Sequence, residues 1–295
     1  MALFRNNYDH FLGYALSGGG AKGFAHLGAL KVLEKCKLKP DVMAGTSAGA
    51  LAGVFYADGF HPEEIGGLFK KKEFREFAEI SFSKTGFLKS TGLHGFLKKN
   101  LRAQRFEELE IPFYVIATDW RRSTTVTFSN GDNLIDAVVA SCSVPVIFNP
   151  QYINGLPYVD GGLLKNFPVS VIRKKCKYVI GVNVSLMMPQ PEKESIRNIV
   201  QRTFNLMSNS NTIVDKALCD ILIETEGIEK YPMFDLNNME TISAAGFKNA
   251  AIKMSENKSW QIVEKCHKHY EHIRHIRKHV GSIKNLKTRY LNEEQ

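Results

Sequence analysis

Residues 13–59 open with GYALSGGGAKGFAHLGALKVLEKC (13–36) and continue, after a short link, with DVMAGTSAGALAGVFYADG (41–59). GYALS reads as a short apolar strand that runs into three glycines. Phe24, Leu27, Leu30 and Leu33 then recur at every third position, which puts them on one face of a helix. DVMAG reads as a second buried strand, and AGALAGVFYADG as a helix closed by Gly59. Two apolar strands, each followed by a helix, predict a parallel sheet, because a parallel pair needs a long crossover and the crossover is normally helical.

Working outward, further strands are expected at IPFYVIATD (111–119), TTVTFS (124–129), PYVD (157–160) and KYVIGVNV (177–184), with a helix at LIDAVVASC (134–142). The fold class is therefore α/β. Residues 60–105 are rich in Phe, Lys and Gly without clean periodicity and are expected to form short helices of a cap or lid. From Glu192 onward the pattern turns helical and more charged, with no repeat and no low-complexity linker, so one domain over 1–295 is expected.

Ser47 lies in G-T-S-A-G, at the junction of the second strand and its helix. This is the position of a nucleophile elbow, where a sharp strand-to-helix turn holds a serine hydroxyl outward and glycines such as Gly45 and Gly49 are needed because a Cβ would collide with neighbouring backbone. The plain alternative is an ordinary turn with no chemistry. The loop LSGGGAKG (16–23) meets a helix N-terminus, where exposed amides and the helix dipole suit an oxyanion or a phosphate. Gly18, Gly20 and Gly23 also spell the G-x-G-x-x-G of a dinucleotide-binding enzyme. That match is weak, because the required acidic residue at the end of the second strand is absent: Asp41 stands at the strand's start.

A serine nucleophile needs a base. The nine histidines, His10, His26, His61, His94 and the tail cluster His267, His269, His272, His275 and His279, stand at no recognisable strand end. Asp160 does, with Gly161 and Gly162 turning the chain behind it, and a carboxylate there could face Ser47. Its ordinary pKa of about 3.9 makes it a weak base unless burial raises it. Asp119, at another expected strand end, is the reserve. Asn166 and Pro168 are expected to shape the turn after Asp160, and Lys22 to be solvated in the first turn of its helix.

The three elements together resemble the patatin-like phospholipase family: G-G-G-A-K-G at Gly18–Gly23, G-T-S-A-G around Ser47, and D-G-G at Asp160–Gly162. The similarity extends through IATD (116–119), AVVASCSVPVIFNP (137–150) and GGLLKNFPV (161–169), and covers roughly residues 12–251. The resemblance implies a three-layer α/β/α fold and a Ser47–Asp160 dyad without histidine. It implies an oxyanion loop at Gly18, Gly19, Gly20 and Ala21, and motif-supporting glycines at Gly23, Gly45, Gly49, Gly161 and Gly162. It implies hydrolysis of acyl esters of lipids or lysophospholipids through an acyl-enzyme, with no metal and no cofactor. A catalytically idle lipid-binding or regulatory protein on the same fold stays open at this point.

Composition narrows the setting. Cys36, Cys142, Cys176, Cys219 and Cys266 are scattered and odd in number, which argues against a disulfide framework and for a reducing compartment. The first twelve residues lack the apolar core of a signal peptide, and no run approaches about 18 uncharged apolar residues, so a cytoplasmic, non-spanning protein is expected. A net charge of +9 favours an anionic partner, taken here as an acidic membrane surface rather than nucleic acid. Much of that excess lies in a basic helical extension at about 258–291. There Cys266, Tyr270, Ile273, Ile276, Val280, Ile283 and Leu286 form one apolar stripe, which either packs on the core or leaves the basic face to meet lipid.

Overall fold

The computed structural model describes residues 8–70, 76–77, 79–80, 86–131, 133–187, 195–234 and 236–273. The first strand, β1 (His10–Leu16), passes through the glycine loop into α1 (Phe24–Lys35). After it come β2 (Val42–Thr46), α2 (Ala48–Ala57) and α3 (Pro62–Phe69). Two short strands, β3 (Glu79–Ile80) and β4 (Gly86–Lys89), precede α4 (Thr91–Asn100). The core resumes with β5 (Phe113–Asp119), β6 (Thr124–Phe128), α5 (Leu134–Ser141), β7 (Val146–Phe148), β8 (Gln151–Ile153) and β9 (Leu156–Asp160). Then follow α6 (Val169–Arg173), β10 (Cys176–Asn183), α7 (Ile196–Ser210), α8 (Ile213–Ala217), β11 (Ile221–Glu224), α9 (Met239–Ser255) and a last helix, α10, over 257–273.

The main sheet runs β11-β10-β1-β2-β5-β9-β8, with β6 also on β5. Its left part, β11 to β5, is parallel, and β6, β8 and β9 are antiparallel additions. Both faces are covered, which is why these strands read as apolar runs rather than as alternating patterns. Leu12, Tyr14, Leu16, Met43 and Val115 pack with α1, α2 and α5, whereas Ala15, Val42, Ala44 and Val179 pack with Phe167, Val169 and Ile172 around α6. This is the expected α/β/α layering. The strand order reverses at β1, with β2 and β5 on one side and β10 and β11 on the other. A crevice opens beyond the strand ends at such a reversal, and the glycine loop leaves β1 there.

The register of β5 sets the rest. Val115 and Ile116 pair with both β2 and β6, so these two strands lie on opposite edges of β5. Ala117, Thr118 and Asp119 pair with both β6 and β9, so β9 lies on the β2 edge. β2 therefore runs up that edge and ends at Thr46 opposite Ile116, and β9 runs down the same edge and ends at Asp160 opposite Ala117. The two strands meet end to end, and the residues at the joint are Ser47 and Asp160.

Two features depart from the sequence-level expectation, and a third settles an alternative left open for the described start of the C-terminal stripe. Residues 60–105 contain α3 and α4 but also β3 and β4, which join β7 in a separate three-stranded sheet. The region after Glu192 is not wholly helical, since Ile221–Glu224 adds a parallel edge strand, too short to show a periodicity of its own. The start of the C-terminal stripe packs on the core: Cys266 is buried and the Tyr270 hydroxyl donates to Asp41 Oδ2 at 3.2 Å. The stripe beyond Ile273, with Arg274, Arg277 and Lys278, lies outside the described residues.

The helices α1 and α9 cross with their backbones in contact. A Cβ on Gly28 would sit 1.9 Å from the Ser243 carbonyl oxygen, and one on Gly246 would sit 2.1 Å from that of Ala25. Neither neighbour is a flexible side chain that could swing away. Gly28→Ala is expected to lower stability by about 2 kcal/mol or more, read as a lower urea midpoint at unchanged slope. An unchanged midpoint would mean that the crossing is not tightly packed.

Candidate active site

Ser47 sits at φ 52° and ψ −120°, a strained conformation for a residue with a side chain. The strain persists because the surroundings hold it. Its amide donates to Ser141 Oγ at 2.8 Å, and Ser141 Oγ donates in turn to the Ile116 carbonyl at 2.5 Å. The elbow also needs glycines: a Cβ on Gly45 would lie 2.5 Å from the Gly49 carbonyl oxygen, and one on Gly49 would lie 2.3 Å from that of Leu16.

The Ser47 hydroxyl donates to Asp160 Oδ2 at 2.6 Å. The other carboxylate oxygen, Oδ1, accepts from the Gly162 amide at 2.7 Å, so the turn D-G-G fixes the carboxylate plane. Asp160 is fully buried, and burial pushes its pKa up to about 7; the hydrogen bonds from Ser47 and Gly162 pull the other way without cancelling that effect. A carboxylate that would ordinarily be a poor base is thereby poised to exchange a proton near neutrality.

Among the described residues no histidine hydrogen-bonds Ser47 or Asp160. His26 is buried and neutral, its pKa pushed down to about 4 by burial, and its Nε2–H donates to the Ser17 carbonyl at 2.8 Å. His267 meets the Cys36 carbonyl and His269 stacks on Phe11, both at the end of the sheet opposite to Ser47. His275 and His279 lie outside the described residues. Asp119 accepts from the amides of Arg121 and Arg122 and caps its own turn; the serine hydroxyl goes to Asp160.

The glycine loop is held at several points. The Gly18 amide donates to the Asn166 carbonyl at 3.0 Å, the Ala21 amide to the Met233 carbonyl at 2.7 Å, and Ser17 Oγ to the Gly18 carbonyl at 3.1 Å. Gly18 and Ala21 are thus committed to the protein's own backbone. The amides of Gly19 and Gly20 donate to no group among the described residues, and neither does that of Ala48, in the first turn of α2. Gly20 has φ +58°, and a Cβ there would lie 2.4 Å from the Met233 carbonyl oxygen. The donors left open beside Ser47 are therefore Gly19, Gly20 and Ala48.

Asn166 does more than shape a turn. Its carbonyl holds Gly18, its amide donates to Asn211 Oδ1 at 2.7 Å, and its side chain fills the space beside Gly18 and Gly162. It ties the oxyanion-type loop to the loop that carries Asp160. Lys22, expected to be solvated, is instead 1% exposed, and burial pushes its ammonium down to about 8 although the charge of Glu229 opposes this. No single-sequence signal announces this burial.

The serine opens into a cavity whose lining side chains are apolar except for Ser47 and Cys142: Phe24, Leu27, Leu51, Ile65, Phe69 and Phe77 on one side, Val144, Phe148, Phe204, Met233 and Phe234 on the other. Burial holds the Cys142 thiol well above its ordinary pKa, so it is uncharged. Ser141 falls within AVVASCSVPVIFNP (137–150), whereas Phe204 and Met233 carry no motif that would single them out in the sequence; only the fold assembles them around Ser47.

The buried carboxylate has a consequence for stability. Between its ordinary value of 3.8 and about 7, the folded protein holds a proton on Asp160 that the unfolded chain has released, so raising the pH through this window costs stability. An asparagine can still accept from the Gly162 amide through Oδ1 and can donate from Nδ2 to the Ser47 hydroxyl, without the charge. Asp160→Asn is therefore expected to melt at a higher temperature than the wild type at about pH 8, with the difference vanishing near pH 4. A lower melting temperature for the variant at the higher pH would show that the carboxylate charge is stabilised in the fold.

The chain is similar to several known proteins. The patatin-like phospholipase family profile matches residues 14–172. A lysophospholipase, NTE1 of Kluyveromyces lactis, is 30% identical over 191 residues, covering 62% of this chain and 13% of that protein. The patatin-like phospholipase domain-containing protein 7 of Rattus norvegicus is 29% identical over 182 residues, covering 57% of this chain and 13% of its own length. The protein YqhO of Bacillus subtilis is 30% identical over 215 residues, covering 62% of this chain and 74% of that one. The chain thus spans about an eighth of the length of the two named phospholipase relatives. With its glycine loop, serine elbow and D-G-G turn within or adjoining one cavity and inside the matched segment, the chain belongs to the patatin-like phospholipase family.

Proposed function

We propose that the protein is a serine hydrolase of lipid acyl esters, with Ser47 as nucleophile and Asp160 as its only base. The observation that carries this reading is the 2.6 Å hydrogen bond from Ser47 Oγ to a buried Asp160, at the edge of an apolar cavity. In the reaction, Oγ attacks the ester carbonyl carbon as its proton passes to Asp160 Oδ2. The amides of Gly19, Gly20 and Ala48 and the positive end of α2 hold the oxyanion. The tetrahedral intermediate collapses, Asp160 returns the proton to the departing alcohol, and Ser47 is left acylated. Water then gives its proton to Asp160 while its oxygen attacks the acyl carbon, and the fatty acid leaves as Ser47 regains its hydrogen.

The apolar cavity suits an acyl chain, and the relatives named lysophospholipases favour a monoacyl phospholipid as substrate. Transition-state stabilisation by the amides is worth about 2.7–4 kcal/mol per donor in comparable sites, enough for a carboxylate near pKa 7 to serve as base without histidine.

Ser47→Ala and Asp160→Asn are each expected to lower kcat on a soluble short-chain ester by about 10³-fold or more, and the double variant to lose no more than either alone, because the pair acts as a unit. Replacing His267, His269, His272, His275 and His279 with Gln is expected to leave kcat within about twofold of wild type. Near-native turnover in Asp160→Asn, or a large loss in the histidine variant, would overturn the dyad.

A further inference from the structure

Among the described residues, only Phe77 lines both the Ser47 cavity and a neighbouring one. The Ser47 cavity, about 140 Å³, follows α2 away from the nucleophile past Ala48, Leu51 and Ala52, and Phe69, Phe77 and Leu93 close its far end. The second cavity, about 260 Å³, has Leu68, Phe77 and Phe96 on its walls, with Glu76, Lys99 and Asn100 beside them. The ring of Phe77 is therefore a partition between the two.

The partition is firmly held. The Phe77 carbonyl accepts from the Leu93 amide at 3.2 Å, at the start of α4. Its ring stands edge-on to Phe96 with centroids 5.1 Å apart and tilted to Phe69 at 5.8 Å, and both of these rings pack in turn on Phe55 of α2. Gly92 lets α4 come this close, since a Cβ there would lie 2.2 Å from the Glu76 carbonyl oxygen. The phenylalanines that gave residues 60–105 no clean periodicity thus converge on one cluster, and Phe77, 8% exposed, is the member with a cavity on each side.

The size of the first cavity sets what fits in front of the partition. An apolar cavity of about 150 Å³ holds one benzene, six carbons, so a cavity of this size takes about six to eight carbons of an acyl tail. Each methylene buried there strengthens binding about fourfold. A methylene that cannot pass Phe77 adds nothing, although space lies directly behind the ring.

We infer that Phe77 determines the acyl-chain length that the site accepts, restricting it to medium chains of about eight carbons. The inference rests on the proposed reading of the Ser47 cavity as the seat of an ester's acyl chain. It adds to that reading the class of chain and the residue that selects it.

The test compares wild type with Phe77→Ala on 4-nitrophenyl esters from butanoyl to dodecanoyl, each below its micellar concentration. For wild type, kcat/KM is expected to rise about fourfold per methylene up to about eight carbons and then to level off. In Phe77→Ala the two cavities join and the rise continues, so that its ratio of dodecanoyl to octanoyl kcat/KM exceeds that of wild type by about tenfold or more. A second arm measures, by calorimetry, the affinity of Ser47→Ala for the corresponding free fatty acids, with and without Phe77→Ala, and is expected to show the same break and the same displacement. Because binding needs no turnover, a wild type that hydrolyses none of the esters counts against the hydrolase reading, and the affinities then decide the inference alone. Should Phe77→Ala fail to fold, Phe77→Leu, which removes the ring and keeps an apolar side chain, decides by the same readouts with a smaller displacement. A break at the same chain length with and without the ring overturns the inference, as does an affinity that climbs unbroken to dodecanoate while Phe77 is present.

Discussion

A strand has two hydrogen-bonding edges, and β5 uses one of them twice. With β6 on its other edge, β2 and β9 must share what is left, one arriving from each direction. Ser47 follows directly on the end of β2 and Asp160 ends β9, and the joint leaves no room for a spacer: a Cβ on Gly161 would lie 2.4 Å from the Ile116 carbonyl oxygen and 3.0 Å from Thr46 Cγ2. The closeness of Ser47 and Asp160 is thus a consequence of sheet register. The rest of the site is arranged around that contact, with Ser141 bracing the elbow from α5 and Asn166 linking the two flanking loops.

On the proposed reading, burial supplies the chemistry. In water Asp160 would be ionised and weakly basic, and a serine would not surrender its proton to it. Removed from water, with no cation among its hydrogen-bond partners, it rises to about 7 and becomes a base of useful strength. The same burial destabilises the fold at neutral pH, so the site stores free energy that the sheet and its covering helices must offset. The open amides of Gly19 and Gly20 have the same character: groups left without an internal partner, in a loop otherwise pinned by Ser17, Asn166 and Met233. Such unfulfilled donors fit a site that receives charge only during reaction.

The parts of this architecture that were legible in the sequence are those written locally. The β1–α1–β2–α2 start, the elbow at Ser47 and the turn after Asp160 each need a fixed residue pattern over a few positions, and each appears where that pattern places it. What the sequence does not carry is contact between distant segments. β11 is too short to show a period, and β3, β4 and β7 form a sheet only because the chain brings them together. Lys22 looks like an ordinary first-turn lysine, yet it is buried, and the carboxylate whose charge acts on it, Glu229, lies more than two hundred positions away. The division of the glycine loop into committed and open amides depends likewise on Asn166 and Met233, which no local rule associates with Gly18 and Ala21.

The central claim is that a buried aspartate alone activates the serine. The most direct measurement of it is the rate of inactivation by a fluorophosphonate as a function of pH, since this reagent reports only the attacking hydroxyl and needs no lipid interface. The account predicts a rate that rises about tenfold per pH unit on the acid side, bends near the Asp160 pKa of about 7 and is flat above it. It also predicts that the bend disappears in Asp160→Asn together with most of the rate. A bend that survives in Asp160→Asn, or a rate independent of pH through neutrality, would contradict it and assign the base to another group.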